Sequence, residues 1–273
     1  MGMNSGTGVY RIDFACDDRD PLQAELNRLY GYTNDLDTKI AHRNRLNRFV
    51  ELLTLLKEAG ILTRGKALDV GCGPGIYSGI LGDMGFVEVL GIDSNPKAIV
   101  EARLRFGRES PHGWVRFQAA SVDSLDSSIR NDFILCTEVI EHTQDPAKTV
   151  RLILDALSPG GIAVVSMPNR LSAPYFLLEM YRRLRHKPIE EELAAHLRFP
   201  FYKTLRMLRR DDIEVLRVAG VNLFLMGPFL RRVYRTGAFA TVNRINFAVS
   251  RRRPLCYFGQ FLFVVLRKTH PNA

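Results

Sequence analysis

Three side chains suited to acid–base chemistry lie together in the segment TEVIEH. Glu141 and His142 follow Glu138 by three and four positions, so the three would share one face if the segment turns helically. An imidazole titrates near neutral pH and could take the proton of a hydroxyl group. Two carboxylates and an imidazole could instead bind a divalent cation, with His186 or His196 as a further ligand. The spacing leaves both kinds of site open.

A second candidate site is the glycine loop of KALDVGCGPG, residues 66–75. The apolar residues before it predict a buried parallel strand and those after it a helix, so the glycines lie at a strand-to-helix turn. Gly71, Gly73 and Gly75 tolerate positive φ and let a ligand approach the main chain. The dinucleotide pattern needs its third glycine where Ile76 stands. The loop therefore suits an adenosyl ligand better than a pyrophosphate.

Acidic residues end the first two predicted strands. Asp69 could order the loop amides or meet a cationic amino-acid group. Asp93 ends the apolar run 87–92 and could accept both hydroxyls of a ribose. It could instead cap the helix that begins near Asn95 and Pro96. The glycine loop upstream favours ligand binding.

The strings ALDVGCGPG, GIDSNP, CTEVIEH and LSPGG resemble, in this order, the signatures of class I S-adenosylmethionine-dependent methyltransferases, across about residues 45–170. The resemblance implies S-adenosylmethionine as cofactor and an α/β fold: a doubly wound, mostly parallel, seven-stranded Rossmann-like sheet whose last strand is antiparallel. In such an enzyme a histidine suits the removal of the acceptor's proton, so His142 is either the base or a structural histidine bonded to backbone. His196 could supply the base instead, and Glu138 could orient the histidine or touch the cofactor amine. The predicted cofactor-binding residues are Asp69, Gly71, Cys72, Gly73, Gly75, Asp93, Ser94, Ser121, Val122 and Thr137.

The chain keeps some details of the family pattern and departs from others. The segment HLRF, which begins at His196, resembles an element that follows the lid and lies near the acceptor. Ser121 stands where the family commonly has an acid, and Asp123 either substitutes for it or is only solvated. Asp132 keeps the aspartate of the fourth-strand pattern, although Asn131 replaces the usual aromatic residue before it.

The string EVIEH also resembles the metal-binding segment of small-RNA 2′-O-methyltransferases. That resemblance would make Glu138, Glu141 and His142 ligands of a divalent metal, but the downstream motif of that family is not recognisable here. The same spacing occurs in small-molecule methyltransferases, including some that resemble ubiquinone-pathway O-methyltransferases. The predicted site therefore contains no metal, and RNA 2′-O-methylation with a divalent metal is the alternative function.

We predict a methyltransferase domain at residues 61–273, preceded by an N-terminal helical extension at residues 1–60. Within the domain, a lid insertion at about 170–200 would cover the acceptor, and a second, basic and aromatic insertion lies at about 222–254. Helices before the first strand often cover the cofactor pocket in proteins that this one resembles. Among residues of the extension, Tyr30, Tyr32 and Arg45 either belong to that cover or lie on the ordinary surface.

Charge is unevenly distributed along the chain, whose net charge is +9. Residues 171–273 carry 19 Lys and Arg against 7 Asp and Glu, and hold 15 of the 26 aromatic residues. Residues 173–185 predict a basic amphipathic helix, which either lies on a lipid surface or is a lid with a solvated face. The apolar run 218–230 is too short to span a bilayer. It favours an apolar acceptor or a membrane edge over an RNA groove, and a subunit interface remains open.

The cysteines are far apart and form no CxxC pair, which argues against a disulfide framework or a zinc cluster. The first residues lack the layout of a signal peptide. We therefore expect a cytoplasmic S-adenosylmethionine-dependent methyltransferase that acts on an oxygen of a hydrophobic small molecule. Peripheral membrane contact through the basic aromatic half is open, and a nucleic-acid partner is disfavoured.

Overall fold

The computed structural model describes residues 12–30, 36–62, 64–110, 113–126, 128–186, 188, 191–224 and 227–270. Tyr32 of the N-terminal extension and residues 225 and 226 of the apolar run lie outside the described residues, as does the side chain of Tyr30.

An eight-stranded sheet forms the centre of the protein. In chain order its strands are β1 (Lys66–Val70), β2 (Glu88–Asp93), β3 (Arg108–Ser110), β4 (Gly113–Ala119), β5 (Asn131–Thr137), β6 (Leu157–Pro168), β7 (Ile213–Val221) and β8 (Phe261–Lys268). Their order across the sheet is β3-β4-β2-β1-β5-β6-β8-β7. Strands β4, β2, β1, β5 and β6 are parallel, whereas β8 lies antiparallel between β6 and β7. The chain order reverses between β1 and β5, where such sheets bind ligands.

This architecture confirms the predicted doubly wound, mostly parallel sheet with an antiparallel last strand. The predicted count of seven strands is one too few, because β3 adds a short edge strand antiparallel to β4. Its sequence, RES, lacks the apolar alternation that marks a strand. Pairing with the first residues of β4 forms this strand, and no local sequence pattern predicts it.

Ten α-helices flank the sheet in the described part of the chain. They are α1 (Pro21–Tyr30), α2 (Leu36–Glu58), α3 (Ile76–Asp83), α4 (Pro96–Phe106), α5 (Pro146–Asp155), α6 (Ala173–Leu184), α7 (Glu191–His196), α8 (Phe201–Met207), α9 (Gly227–Tyr234) and α10 (Phe239–Val249). Asn95, Asp145 and Ser172 cap α4, α5 and α6, each of which has proline in its first turn. None of these described helices has the length and apolar character needed to cross a bilayer.

The two faces of the sheet bury separate apolar clusters. Ala67 of β1 packs in the cluster that contains Phe49 of α2 and Ile99 of α4. Leu68, the next residue of the strand, packs in the cluster that contains Ile153 of α5. Burial on both faces explains why the central strands are continuous apolar runs in the sequence.

Helix α2 is tied to the C-terminal half by buried polar side chains. Nδ2 of Asn44 donates to Oδ1 of Asn222 and to Oδ1 of Asn243, each at 2.8 Å. Nη2 of Arg48 donates to the carbonyl oxygen of Phe247 at 2.6 Å, and its guanidinium lies 3.7 Å from the centre of that ring. These bonds join the predicted N-terminal extension to the second predicted insertion.

Candidate active site

The glycine loop joins β1 to α3 and is held by β2. The N–H groups of Gly71 and Cys72 donate to the carbonyl oxygen of Ile92 at 2.8 and 2.9 Å. The N–H of Gly73 donates to Oδ2 of Asp93 at 2.9 Å, and Oδ1 accepts the N–H of the residue two positions on at 2.8 Å. Asp93 therefore orders the glycine loop, while Asn95 is the residue that caps α4.

The loop glycines have positive φ, as predicted, but two of them differ in their surroundings. A Cβ at Gly73 (φ +52°) would have no heavy atom within 4 Å, so this face of the loop is open beside Asp93. A Cβ at Gly71 (φ +69°) would lie 2.1 Å from Cγ2 of Val139. The open face fits an adenosyl ligand, whereas the close contact packs the turn after β5 directly on the loop.

Asp69 lies inside β1 and is 1% exposed. Its Oδ2 accepts the hydroxyl of Ser78 in α3 at 2.6 Å. Burial raises the pKa of Asp69 to about 7, against the opposing effect of the Ser78 hydrogen bond. Among the described residues its bonds run to α3 and not to the loop amides, so Asp69 positions the helix behind the loop.

The other predicted cofactor-binding residues gather at the carboxyl edge of the sheet. Ser94 follows β2, Ser121 and Val122 follow β4, and Thr137 ends β5. Ser94 and Ser121 are exposed, Thr137 is partly exposed, and Val122 and Cys72 are buried.

The acid near the predicted adenine turn has a partner of its own. Oγ of Ser121 accepts the N–H of Asp123 at 3.2 Å. The carboxylate of Asp123 pairs with Nζ of Lys148 at 2.7 Å. Asp123 is exposed, so its interpretation as a solvated acid describes the structure better than substitution for the missing family acid.

The segment after β5 does not form the helical face that the spacing suggested. Glu138 has φ +56°, and only Ile140–His142 make a short 3-10 turn. Oε1 of Glu138 accepts the hydroxyl of Ser166 at 2.8 Å, and Oε2 lies 3.0 Å from Nη1 of Arg45. Because Glu138 has a left-handed backbone, its side chain contacts Ser166 and Arg45. It therefore does not form one helical face with Glu141 and His142, as the spacing had predicted.

Glu141, His142 and His196 form a compact group, which we call the histidine cluster. One ligand atom from each lies within 4.8 Å of the others. The side chain of Glu141 is 0% exposed, Oε1 is 4.0 Å from Nε2 of His142, and neither oxygen accepts a hydrogen bond within the described residues. A proton or a divalent cation would satisfy this buried carboxylate. In the predicted metal group His196 thus takes the place of Glu138, and the exposed His186 is not part of it.

Burial sets the charge of the histidine cluster. Burial, and then His142 and Arg45, lower the pKa of His196 to about 4. Burial and the neighbouring Glu138 raise the pKa of Glu141 well above its usual range. At neutral pH the imidazole of His196 is therefore uncharged and can accept a proton.

Two residues of the site were not predicted from the sequence. The hydroxyl of Tyr175, on helix α6 of the predicted lid insertion, lies 3.1 Å from Nδ1 of His196. Ser166 lies on β6 opposite Thr137 and bonds Glu138. Ser166 is a polar residue within the apolar run IAVVSMP, and this change in polarity could have indicated a site residue. Tyr175 carries no such local signal.

A glycine loop at the switch point, an acid at the end of the next strand and an antiparallel last strand define a class I S-adenosylmethionine-dependent methyltransferase. A protein-family model described as "Methyltransferase domain" matches residues 41–218, and the chain belongs to this family.

Characterised relatives and solved structures agree with this assignment. The chain is 30% identical over 256 residues to a ubiquinone biosynthesis O-methyltransferase of Xanthomonas euvesicatoria pv. vesicatoria, covering 90% of this chain and 99% of that relative. It is 31% identical over 181 residues to the protein of that name from Nitrosospira multiformis, covering 65% and 73%. In fold it is similar to magnesium protoporphyrin IX methyltransferase from Synechocystis PCC 6803 with bound SAH, with a TM-score of 0.62, 13% identity and coverage of 90% and 94%. The plantazolicin methyltransferase BpumL gives a TM-score of 0.54 at 17% identity, covering 92% of each chain.

Proposed function

We propose that the protein transfers a methyl group from S-adenosylmethionine to an oxygen atom of a hydrophobic small molecule. The observation that carries the proposal is the close packing of Gly71 on Val139, which sets the cofactor loop directly against the turn that bears the histidine cluster. The names of the relatives, ubiquinone biosynthesis O-methyltransferases, support an oxygen acceptor.

The loop would hold the cofactor through its open face at Gly73, with the carboxylate of Asp93 accepting the ribose hydroxyls. When bound, S-adenosylmethionine supplies a methyl group on a positively charged sulfur. The residues of this chain then align the acceptor oxygen with that methyl group, which is the main contribution a protein makes to a displacement of this kind.

His142 and His196 are the candidate bases. One imidazole would take the proton of the acceptor hydroxyl, whose oxygen would receive the methyl group that S-adenosylmethionine supplies, leaving S-adenosylhomocysteine. In the tautomer of His196 whose Nδ1–H donates to the hydroxyl oxygen of Tyr175, Nε2 has the lone pair that accepts the proton. Glu138 orients neither ring directly, because its oxygens face Ser166 and Arg45.

The lid helix α6 supports a hydrophobic acceptor. Its inner residue, Tyr175, is buried against the site, while Phe176, Met180 and Leu184 are exposed. These outer residues line a groove of about 680 Å³ whose rim carries arginines, including Arg183.

We infer further that the enzyme is cytoplasmic and contacts a membrane surface through α6. Phe176 is 62% exposed and Leu184 is 74% exposed, next to the basic residues Arg182, Arg183 and Arg185. An apolar stripe beside basic side chains suits the boundary between acyl chains and anionic headgroups. Such contact would bring an apolar acceptor directly to the lid.

RNA 2′-O-methylation receives no support from the relatives described above. The pairing of Glu138 with Arg45 also occupies one of the three ligands that this alternative needed. The proposed function is tested by transfer of labelled methyl from S-adenosylmethionine into a methyl-deficient host extract. The products are then partitioned between organic solvent and precipitated RNA and protein. Label in the organic phase is the expected result, and label confined to the RNA would overturn the proposal.

A further inference from the structure

We propose, building on the methyltransferase function above, that Arg45 is a positioning residue of the acceptor site. Its guanidinium fixes Glu138 in the turn after β5 and thereby holds Glu141 and His142 of that turn against the cofactor loop. Arg45 lies on α2, before the first strand and outside the glycine loop and the EVIEH segment.

The guanidinium is held from two sides. Nη1 lies 3.0 Å from Oε2 of Glu138, and Cζ lies 4.5 Å from the centre of the Phe261 ring, a distance at which a cation is attracted by an aromatic face. The side chain is 11% exposed. Ser166 bonds the other oxygen of Glu138, so the carboxylate is clamped between α2 and β6.

This clamp holds a backbone conformation that needs support. Glu138 has φ +56°, which non-glycine residues adopt at a cost. Its N–H donates to the carbonyl oxygen of Ser166 at 3.2 Å, and its side chain is fixed by Arg45 and Ser166. Because Val139 packs on Gly71, the clamp also sets the distance between the cofactor loop and the histidine cluster.

Loss of the Arg45 side chain would free the carboxylate of Glu138 from one of the two partners described above. The left-handed turn would then be held by Ser166, and it would no longer fix the distance between the cofactor loop and the histidine cluster.

The test compares Arg45→Gln and Arg45→Lys with wild type. Lys57→Gln is the matched control, because it removes one positive charge from an exposed position of the same helix. Two measurements are made on the full chain: methyl transfer from S-adenosylmethionine into the organic-soluble host extract, and the NMR signals of the His142 and His196 rings at one fixed pH with bound S-adenosylhomocysteine, which report the position of the histidine cluster. Calorimetry of S-adenosylhomocysteine binding checks that the cofactor site is intact.

We expect Arg45→Gln to lower the transfer rate about 10²-fold, as a displacement of about 1 Å in a site can do, and to displace the ring signals of His142 and His196 while the affinity for S-adenosylhomocysteine is unchanged. Arg45→Lys should recover part of the rate and keep the wild-type ring signals, and Lys57→Gln should match wild type in both. An unchanged rate in Arg45→Gln overturns the proposal. So does a slow Arg45→Gln whose ring signals are those of wild type and whose rate Arg45→Lys does not improve. Absence of label in the organic phase for wild type, with the ring signals displaced as expected in Arg45→Gln, would reject the proposed acceptor and leave the role of Arg45 standing.

Discussion

The N–H of Gly73 donates to Oδ2 of Asp93 at 2.9 Å, which ties the most open residue of the glycine loop to the acid of the neighbouring strand. One carboxylate thus shapes the loop, and the same carboxylate is the predicted acceptor of the ribose hydroxyls. A ligand that uses this carboxylate finds the loop already ordered.

Asp93→Ala should weaken S-adenosylhomocysteine binding by on the order of 10- to 100-fold, since hydrogen bonds to a charged group are lost from both the loop and the ligand. Asp93→Asn keeps one acceptor oxygen, so its affinity for S-adenosylhomocysteine should lie between those of wild type and Asp93→Ala. Calorimetry measures the affinity, with the exposed Asp126→Ala as control. Wild-type affinity in Asp93→Ala would remove this residue from the cofactor site.

Gly71→Ala and Gly73→Ala should fail in different ways, although both residues have positive φ. The new Cβ at Gly71 overlaps Val139, so urea unfolding should show a loss of about 1–3 kcal/mol. The new Cβ at Gly73 meets no atom, so stability should fall by only about 1 kcal/mol, mainly from the left-handed backbone, while cofactor affinity drops. Val139→Ala combined with Gly71→Ala should recover stability, and equal losses in both single variants would contradict this description of the loop.

The two imidazoles of the histidine cluster should not contribute equally. Whichever is the base, its replacement by alanine should lower turnover by about 10²- to 10⁴-fold with little change in cofactor affinity. Because the ring centres are 5.7 Å apart, the effects of His142→Ala and His196→Ala should not add in the double variant. Initial rates of methyl transfer measure these effects, and wild-type turnover in both single variants would discard the assignment of a histidine base.

Asp69 should make the fold less stable as pH rises. Its pKa is raised to about 7 in the folded protein from an ordinary 3.8, so between these values the folded state binds more protons than the unfolded state. The stabilisation present below about pH 4 is lost as pH approaches 7, by on the order of 4 kcal/mol. Measured by urea unfolding from pH 4 to 7, the free energy of unfolding should therefore depend less on pH in Asp69→Asn than in wild type. The amide of this variant can still accept the Ser78 hydroxyl. Asp211→Asn, at an exposed position, should keep the wild-type slope.

Membrane contact through α6 should depend on its exposed apolar side chains. The double variant Phe176→Asp with Leu184→Asp should reduce binding to phosphatidylglycerol–phosphatidylcholine vesicles at least tenfold in co-sedimentation. It lacks the two apolar side chains that the bilayer would bury. Leu104→Asp on α4 is the control, since Leu104 is 78% exposed and Leu184 is 74% exposed. Equal loss in the control, or no binding by wild type, would rule out this surface.

The sequence predicted the parts of the site that local pattern determines. Within about thirty residues lie the apolar run of β1, the glycines after it and the acid at the end of β2. Each of them can be recognised from the residues directly before and after it. The histidine cluster was predicted only in part, because His196 reaches it from the end of α7 and Glu138 is turned out of it by its left-handed backbone. Periodicity assumes one helical geometry and cannot anticipate such a turn.

The partner of Glu138 could not be predicted for a different reason. Arg45 precedes it by more than ninety residues, and α2 contains other arginines with the same local surroundings. Only packing shows that Arg43 and Arg48 bind Asp20 and Phe247, whereas Arg45 turns into the site. The polar and basic character of a helix in the sequence therefore does not show which of its charges faces the chemistry.

The hydrogen bonds of Asn44 to Asn222 and Asn243 have a consequence for biosynthesis. Arg45 is the next residue along α2, so the helix that carries it is anchored by residues synthesised almost 200 positions later. A nascent chain can assemble β1, the glycine loop and β2 early, whereas α2 is not anchored beside the acceptor site until α10 has left the ribosome. The enzyme would acquire its cofactor loop well before it acquires a working active site.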